Sequence, residues 1–456
     1  MNPDSGISSA ETEQLADAML RRLFPLTRSL TGEGNRKTLE ILGEIVPLRL
    51  HEIPSGSRSY DWVVPPEWRI REAWIKDMQG QVVVDFTESN LHVVNYSEPI
   101  HAVMSFAELC PNLHVLPNMP DAIPYRTAYY KRRWGFCMTQ KEFERMDPSA
   151  SYEVFIDSEL LADGSLTYAD ALKPGKSGKE YILSSYFCHP SLANDNLSGI
   201  VLAVLLFSHI QSMPTRHAYR LILVPETIGA ISYLSRNEAT MKLVSGGYVI
   251  TTVAGPSEFG YKESFLGNHE IDVAARLALR GHEYKKYPFV PDGSDERQYA
   301  SPGFRIPTGT ITKGKYYEYP EYHTSKDDLT FARPDALVAT LDIYKRAISY
   351  LEMNQTYLRT EPHCEYCLGP RGLYPNLGGQ YNQPATVAGD HHAHLYPVEA
   401  VFTSGEMLDA LQWWMFAADG KTQTLDLAVR SGLRPETLEI AARRMIDAGL
   451  LVGADV

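Results

Sequence analysis

Apolar residues follow two distinct patterns along the chain. Between about residues 126 and 350, nearly continuous apolar runs alternate with helical stretches. EYILSSYF (180–187), YRLILVPE (219–226) and GGYVITTVAG (246–255) read as strands buried on both faces. The first leads through HPSLANDNLSG into an apolar helix reaching about Ser212, and the second into a helix over 229–242. This repetition predicts an α/β domain with helices on both faces of its sheet. Ligands in such sheets gather in loops beyond the carboxyl ends of the strands. His189, Glu226 and the 253–258 loop fall at such ends.

Elsewhere the texture differs. Residues 11–46 read as helix, interrupted around Thr31. From Tyr60 to about Ser105, short runs such as VVVDF and LHVVNY alternate with Pro and Gly, which predicts a small β-rich module. Residues 361–395 are rich in Gly, Pro, Asn and His and read as a linker. Beyond them MLDALQWWMFAA, KTQTLDLAVRSG and PETLEIAARRMIDAGLL predict three short helices, a winged-helix-like unit. The division expected is an α/β domain over 1–59 and 106–358, an insertion at 60–105, and a linker with a winged-helix-like domain at 359–456.

Composition narrows the function. The chain has 456 residues, 44% of them hydrophobic, so a sizeable core is available, and its net charge is −13. An acidic chain does not attract nucleic acid or anionic membranes in bulk. The last predicted helix sets Glu436, Glu439 and Asp447 against Arg443 and Arg444. This balance disfavours phosphate contacts, so packing or homo-oligomerisation is expected of that unit rather than DNA binding. The start, MNPDSGISSAETEQ, lacks the basic-then-apolar order of a signal peptide. The longest aliphatic run, residues 200–207, is far below the roughly 20 residues a membrane span needs. Five cysteines are few and odd in number, which argues against a disulfide framework. A cytoplasmic protein with no membrane contact is expected.

His189 and Asp195 flank a polar loop between a strand end and a helix, an arrangement able to aim both side chains into one crevice. Imidazole and carboxylate are ligand types that zinc accepts. Glu226 ends the next core strand, where a carboxylate can serve as general base in amide hydrolysis. His323, in EYHTSKDD, supplies a third ligand from far along the chain. Each has an ordinary alternative: a structural histidine, a helix cap at Asp195-Asn196, a strand-end charge at Glu226. Cys364-Glu-Tyr-Cys367 has CxxC spacing without a second pair, and His391, His392 and His394 lie in a polar loop. The first falls short of the four ligands of a structural zinc site, and the second reads as a solvated loop.

Several strings carry a family resemblance. HPSLANDNLSG, PETIGAISYL, the Ser-Asp-Glu of GSDERQYASPGFRIPTG, and YHTSKDDL resemble successive motifs of the zinc aminopeptidase clan. With LFPLTRSLTGEG, YDWVVPPEWRIREAWI, IPYRTAYYKRRWGFC and RGLYPNLGG, the chain resembles, nearly end to end, a bacterial family of aminopeptidase-like proteins. That family has an inserted β-rich domain and a C-terminal winged helix, and is often associated with polysaccharide biosynthesis. The resemblance implies a doubly wound mixed α/β sheet, metal ligation by His189, Asp195 and His323, and Glu226 as general base. By motif position Asp295, Glu296, Arg297 and Tyr322 are expected to bind substrate: an acid for an amine, Arg297 for a carboxylate or oxyanion, Tyr322 for the tetrahedral intermediate. The ordinary alternatives are a solvated charged loop at 295–297 and a packed aromatic at Tyr322. Two-metal relatives carry a second acid after the base and another after the following strand. Here those places hold Thr227 and the run Thr251-Thr252-Val253-Ala254. One Zn²⁺ per chain is therefore expected, acting on a small peptide or amide. The competing expectations are a deacylase of a biosynthetic intermediate and a non-catalytic metal-binding regulator.

Overall fold

The computed structural model describes residues 8–374, 384–385 and 402–454. The chain forms two compact units, Met1–Gly267 with Glu283–Leu341, and Asn268–His282 with Asp342–Val456.

The first unit is built on a mixed eight-stranded sheet. Its strands are β1 (Arg49–Pro54), β2 (Ser165–Lys173), β3 (Glu180–Tyr186), β4 (Ala218–Val224), β5 (Gly246–Val249), β6 (Phe259–Lys262), β7 (Tyr284–Tyr287) and β8 (Thr308–Lys313), ordered β1-β2-β4-β3-β5-β8-β6-β7. The middle four, β4-β3-β5-β8, run parallel, so their carboxyl ends share one edge. As the apolar runs predict, β3 and β4 are buried along almost their whole length. Helix Gly199–Ser212, apolar all round, packs on both and on helix Ser9–Leu23. The run Ala193–Ser212 is long and apolar enough to cross a membrane by composition, yet 89% of its most apolar stretch is buried within the fold.

A separate antiparallel sheet joins Val82–Asp85, Glu67–Asp77, Ser151–Leu161 and Ile100–Ser105 in that order. The inserted module therefore does not end at 105, because Ser151–Leu161 is its longest-paired strand. Its buried and half-buried residues alternate, as in a strand with one covered face, unlike the continuous runs of the large sheet. The module is spliced into a hairpin: Pro54 and Ser165 face each other across β1 and β2. Its first long strand is tied back to the large sheet through Glu67, whose carboxylate accepts both Arg36 Nη groups at 2.9 and 2.7 Å and the Ser165 amide at 3.0 Å.

In the second unit, helices Ser404–Ala417, Thr424–Ser431 and Pro435–Asp447 accompany a three-stranded sheet ordered Asp419–Gln423, Thr356–Arg359, Leu451–Gly453. Lys421, Thr422 and Gln423, read as helical, are strand, and the expected boundary at 359 moves upstream, because Thr356–Arg359 is the middle strand of this sheet. Trp414 is fully buried with its Nε1 donating to the Leu438 carbonyl at 2.7 Å. Cys364 and Cys367 are exposed. His391, His392 and His394 lie outside the described residues.

Candidate metal centre and active site

Three loops at the shared strand edge bring the site together. His189 follows β3, and its carbonyl accepts Arg28 Nε at 3.0 Å. Arg28 is fully buried, and burial pulls its guanidinium down to about 9. The loop then turns through Ser191, at φ 39°, to Asp195. Asp195 caps no helix, since the helix beginning at Gly199 has no side-chain cap. Instead its Oδ1 accepts the Tyr186 hydroxyl at 2.7 Å, and the Thr251 hydroxyl lies 2.7 Å from that same Tyr186 oxygen. Thr251 thus borders the centre through Tyr186.

His323 arrives on the segment beyond β8, at φ 56°. Its carbonyl accepts the Tyr125 amide at 2.8 Å, and Tyr322 stacks flat on its ring at 3.9 Å. Its Nε2 lies 3.0 Å from Asp195 Oδ2, and His189 Nε2 lies 4.0 Å from that oxygen. Asp195 Oδ2 and His323 Nε2 are both buried and make no hydrogen bond. Two close, unpaired ligand atoms of this kind are what a shared cation would satisfy. With metal–ligand distances of about 2.0–2.2 Å, tetrahedral zinc sets its ligand atoms ~3.4 Å apart, and the observed separations bracket that figure. The protonation states fit as well. Burial pulls His189 down to about 4, leaving a neutral imidazole. Burial would raise Asp195, but His189 and His323 together outweigh it and hold the carboxyl at about 2. Neutral imidazole and ionised carboxylate are the forms a metal binds.

Glu226 stands just past β4, its amide donating to Cys188 Sγ at 3.3 Å. Its Oε1 accepts the Ser294 hydroxyl at 2.7 Å, and its Oε2 lies 3.9 Å from His189 Nε2. Burial and the charge of Asp195 push its carboxyl up to about 7. The next residue, Thr227, has φ 63°, a conformation β-branched residues rarely adopt. Its amide donates to Asp295 Oδ1 at 2.7 Å. Consecutive residues Ser294 and Asp295 thereby clamp consecutive residues Glu226 and Thr227.

The remaining sequence candidates are placed differently from the expectation. Asp295 is fully buried on Thr227, and burial with the nearby Glu226 charge raises it well above the carboxylate range. Glu296 is buried in an ion pair with Lys262 at 3.2 Å, and it accepts the Ser294 amide at 3.0 Å. Neither carboxylate lines the cavity described below; Glu296 is paired, whereas Asp295 uses Oδ1 for Thr227 and keeps Oδ2 buried without a hydrogen bond. Arg297 is exposed, with Nε 3.4 Å from the Ser294 carbonyl. Tyr322 serves His323 by stacking.

Other site residues escaped the sequence reading. Asp327 accepts the Asn194 amide at 2.6 Å, the Asp195 amide at 3.0 Å and the Tyr319 hydroxyl at 3.2 Å, so it sets the backbone that carries Asp195. Its signal was the Asp327-Asp328 pair in YHTSKDDL. Cys188 Sγ lies 3.7 Å from His189 Nδ1. Trp62, Tyr125, Tyr129 and Tyr130 join His189, Glu226 and His323 around a cavity of about 300 Å³.

Comparison with known proteins identifies the family and the fold. The family described as a domain of unknown function (DUF4910) matches residues 17–354. A Clostridium acetobutylicum protein, described as a candidate polysaccharide biosynthesis protein with an aminopeptidase-like domain, is 39% identical over 97% of each chain. The crystal structure of a candidate peptidase from Clostridium acetobutylicum superposes with a TM-score of 0.86 at 38% identity, covering 98% of this chain and 97% of that one. BSAP, a zinc aminopeptidase from Bacillus subtilis, gives 0.55 at 12% identity, covering 74% of this chain and 94% of its own, a likeness of fold. With the family model matched over residues 17–354 and a 39% identical relative aligned nearly end to end, the chain belongs to the DUF4910 family of aminopeptidase-like proteins.

Proposed function

We propose that the chain is a zinc-dependent hydrolase of an amide or peptide bond, with one metal held by His189, Asp195 and His323 and with Glu226 as general base. One observation carries the reading. Asp195 Oδ2 and His323 Nε2 face each other at 3.0 Å, buried and without hydrogen bonds, beside a carboxylate held by Ser294. When bound, zinc supplies Lewis acidity that polarises a carbonyl and acidifies water. Ser294 fixes Glu226 Oε1, which leaves Oε2 to take a proton from the attacking water and deliver it to the departing nitrogen. Tyr186, Asp327 and Arg28 hold the backbone and carboxylate of the ligand loop against reorganisation. A second reading, hydrolysis of an N-acylated substrate rather than a free amino terminus, is favoured by the absence of Asp295 and Glu296 from the residues that line the cavity.

Metal analysis of the purified protein, followed by a screen of aminoacyl and N-acyl amides, tests the proposal. Near-stoichiometric zinc should be lost in His323→Ala. Glu226→Gln should keep the zinc and lose about 10²–10⁴-fold in turnover. Zinc-free wild type, or full activity in Glu226→Gln, would overturn it.

A further inference from the structure

The hairpin Arg58–Ser59/Trp62–Val63 and the segment through Tyr130 place two large aromatic side chains at the metal-centre cavity without burying them. Trp62 is 38% exposed and Tyr130 51% exposed, and their rings meet edge to face at 5.5 Å. Tyr130 also borders a second cavity, of about 370 Å³, walled by Val63, Pro65, Pro66 and Leu160. A ring with cavities on two sides contributes little to the core, and exposed apolar clusters of this kind mark binding surfaces. Deeper in, Tyr125, Tyr129, Leu30 and Ile228 continue the apolar wall.

Charge is scarce there. Glu226 is the one acid among the described residues that line the metal-centre cavity, and Ser294 already holds one of its oxygens. Asp295 and Glu296 do not line it: Asp295 is fully buried, with Oδ1 on the Thr227 amide, and Glu296 is paired with Lys262. A protonated amine entering an apolar pocket without a dedicated carboxylate loses its hydration uncompensated. A ring face meets the opposite situation, since offset and edge-on contacts with Trp62 and Tyr130 favour it.

We infer that Trp62 and Tyr130 form a specificity subsite for an uncharged, ring-bearing group of the substrate amide. This rests on the hydrolase reading above. The shared chemistry is a ring face next to a neutral amide, and it has two sources, an aromatic acyl group or an N-acylated sugar.

The test is equilibrium binding by calorimetry to zinc-loaded protein in the Glu226→Gln background, at pH 6.5, below the usual α-amino value of about 7.7–8.0. The probes are N-benzoylglycinamide, N-acetylglucosamine, N-acetylvalinamide and phenylalaninamide. At least one of the first two should bind more tightly than the aliphatic and the ammonium-bearing probes, and the tighter of the two identifies the source. Trp62→Ala should weaken that probe about tenfold, while Trp62→Phe retains most of the affinity and both keep their zinc. Should Trp62→Ala not fold, Tyr130→Ala provides the same comparison. Aromatic faces also attract cations, so a preference for phenylalaninamide would overturn the inference. Failure of both ring-bearing probes to bind, or ring preference unchanged in Trp62→Ala and Tyr130→Ala, would do so too. If the ring preference is observed while wild-type protein turns over none of the probes, the subsite stands and the hydrolase reading fails.

Discussion

Asp327→Asn separates the support of the metal loop from the ligands themselves. Asp327 touches no proposed ligand atom, yet its two oxygens divide three donors: Oδ1 takes the Asn194 amide, and Oδ2 takes the Asp195 amide and Tyr319 hydroxyl. Asparagine keeps the shape and one acceptor but turns the other oxygen into a donor facing a donor. Leaving one such buried group unsatisfied costs about 1–3 kcal/mol, and the strain falls on the peptide that aims Asp195. Partners that orient a ligand typically account for about 10–100-fold in metal affinity. For a thirtyfold loss, zinc at a hundredfold excess over the wild-type Kd stabilises the wild type by about 2.7 kcal/mol and the variant by about 0.9. The zinc-dependent part of stability should thus shrink by about 2 kcal/mol. Chelator-competition titration gives the affinity, and urea unfolding with and without zinc gives the stabilisation. Wild-type zinc affinity within twofold, in a folded Asp327→Asn protein, would show that Asp327 does not position Asp195.

Further outcomes follow from side chains already described. Glu296→Gln should destabilise the protein by about 1–3 kcal/mol, since it leaves the buried Lys262 ammonium without its counter-charge and with the Phe289 carbonyl as acceptor, with most of the loss recovered when Lys262→Met is added. A change in KM without a change in urea midpoint would instead return Glu296 to the substrate. Glu67 is held below the usual carboxylate range by its hydrogen bonds from Arg36, against burial, which raises it. A lowered folded-state value means that its contribution is present above the unfolded glutamate value and is lost as pH falls through the folded one. Glu67→Gln should therefore cost stability at pH 7 and little at pH 3, read from paired melts. Equal losses at both pH values would count against the Arg36 pair as the cause.

Legibility of the sequence followed chain locality. Strand ends and the loops attached to them are local features, so β3, β4 and β5 and the positions of His189, Asp195 and Glu226 were readable from apolar runs and the residues that close them. His323 was reached through its motif. What the charges at 295–297 do was not readable, because it is decided by partners distant in the chain: Lys262 lies thirty-four residues before Glu296, and Thr227 sixty-eight before Asp295. Arg28 is further removed still, meeting a carbonyl 161 residues on. The extent of the inserted module was legible in principle, since the alternation in SYEVFIDSELL marks a half-covered strand, but position between two α/β segments outweighed that pattern. Exposed rings such as Trp62 give no sequence signal, as nothing in a hairpin of two-residue strands distinguishes a buried aromatic from a presented one.

Helix Gly199–Ser212 has consequences for how the chain must be made. Ten of its fourteen residues are buried, and it has no polar stripe with which to meet water. During synthesis it leaves the ribosome after β3, but before β4 and the strands beyond. For that interval a nascent chain carries an uncovered greasy rod, the sort of surface that draws chaperones or self-association. Released chains truncated near residue 216 should therefore bind chaperones or aggregate, whereas chains extended through β4 (Ala218–Val224) should begin to shield it. The helix that follows the loop carrying His189 and Asp195 is also a segment strongly dependent on its neighbours arriving promptly.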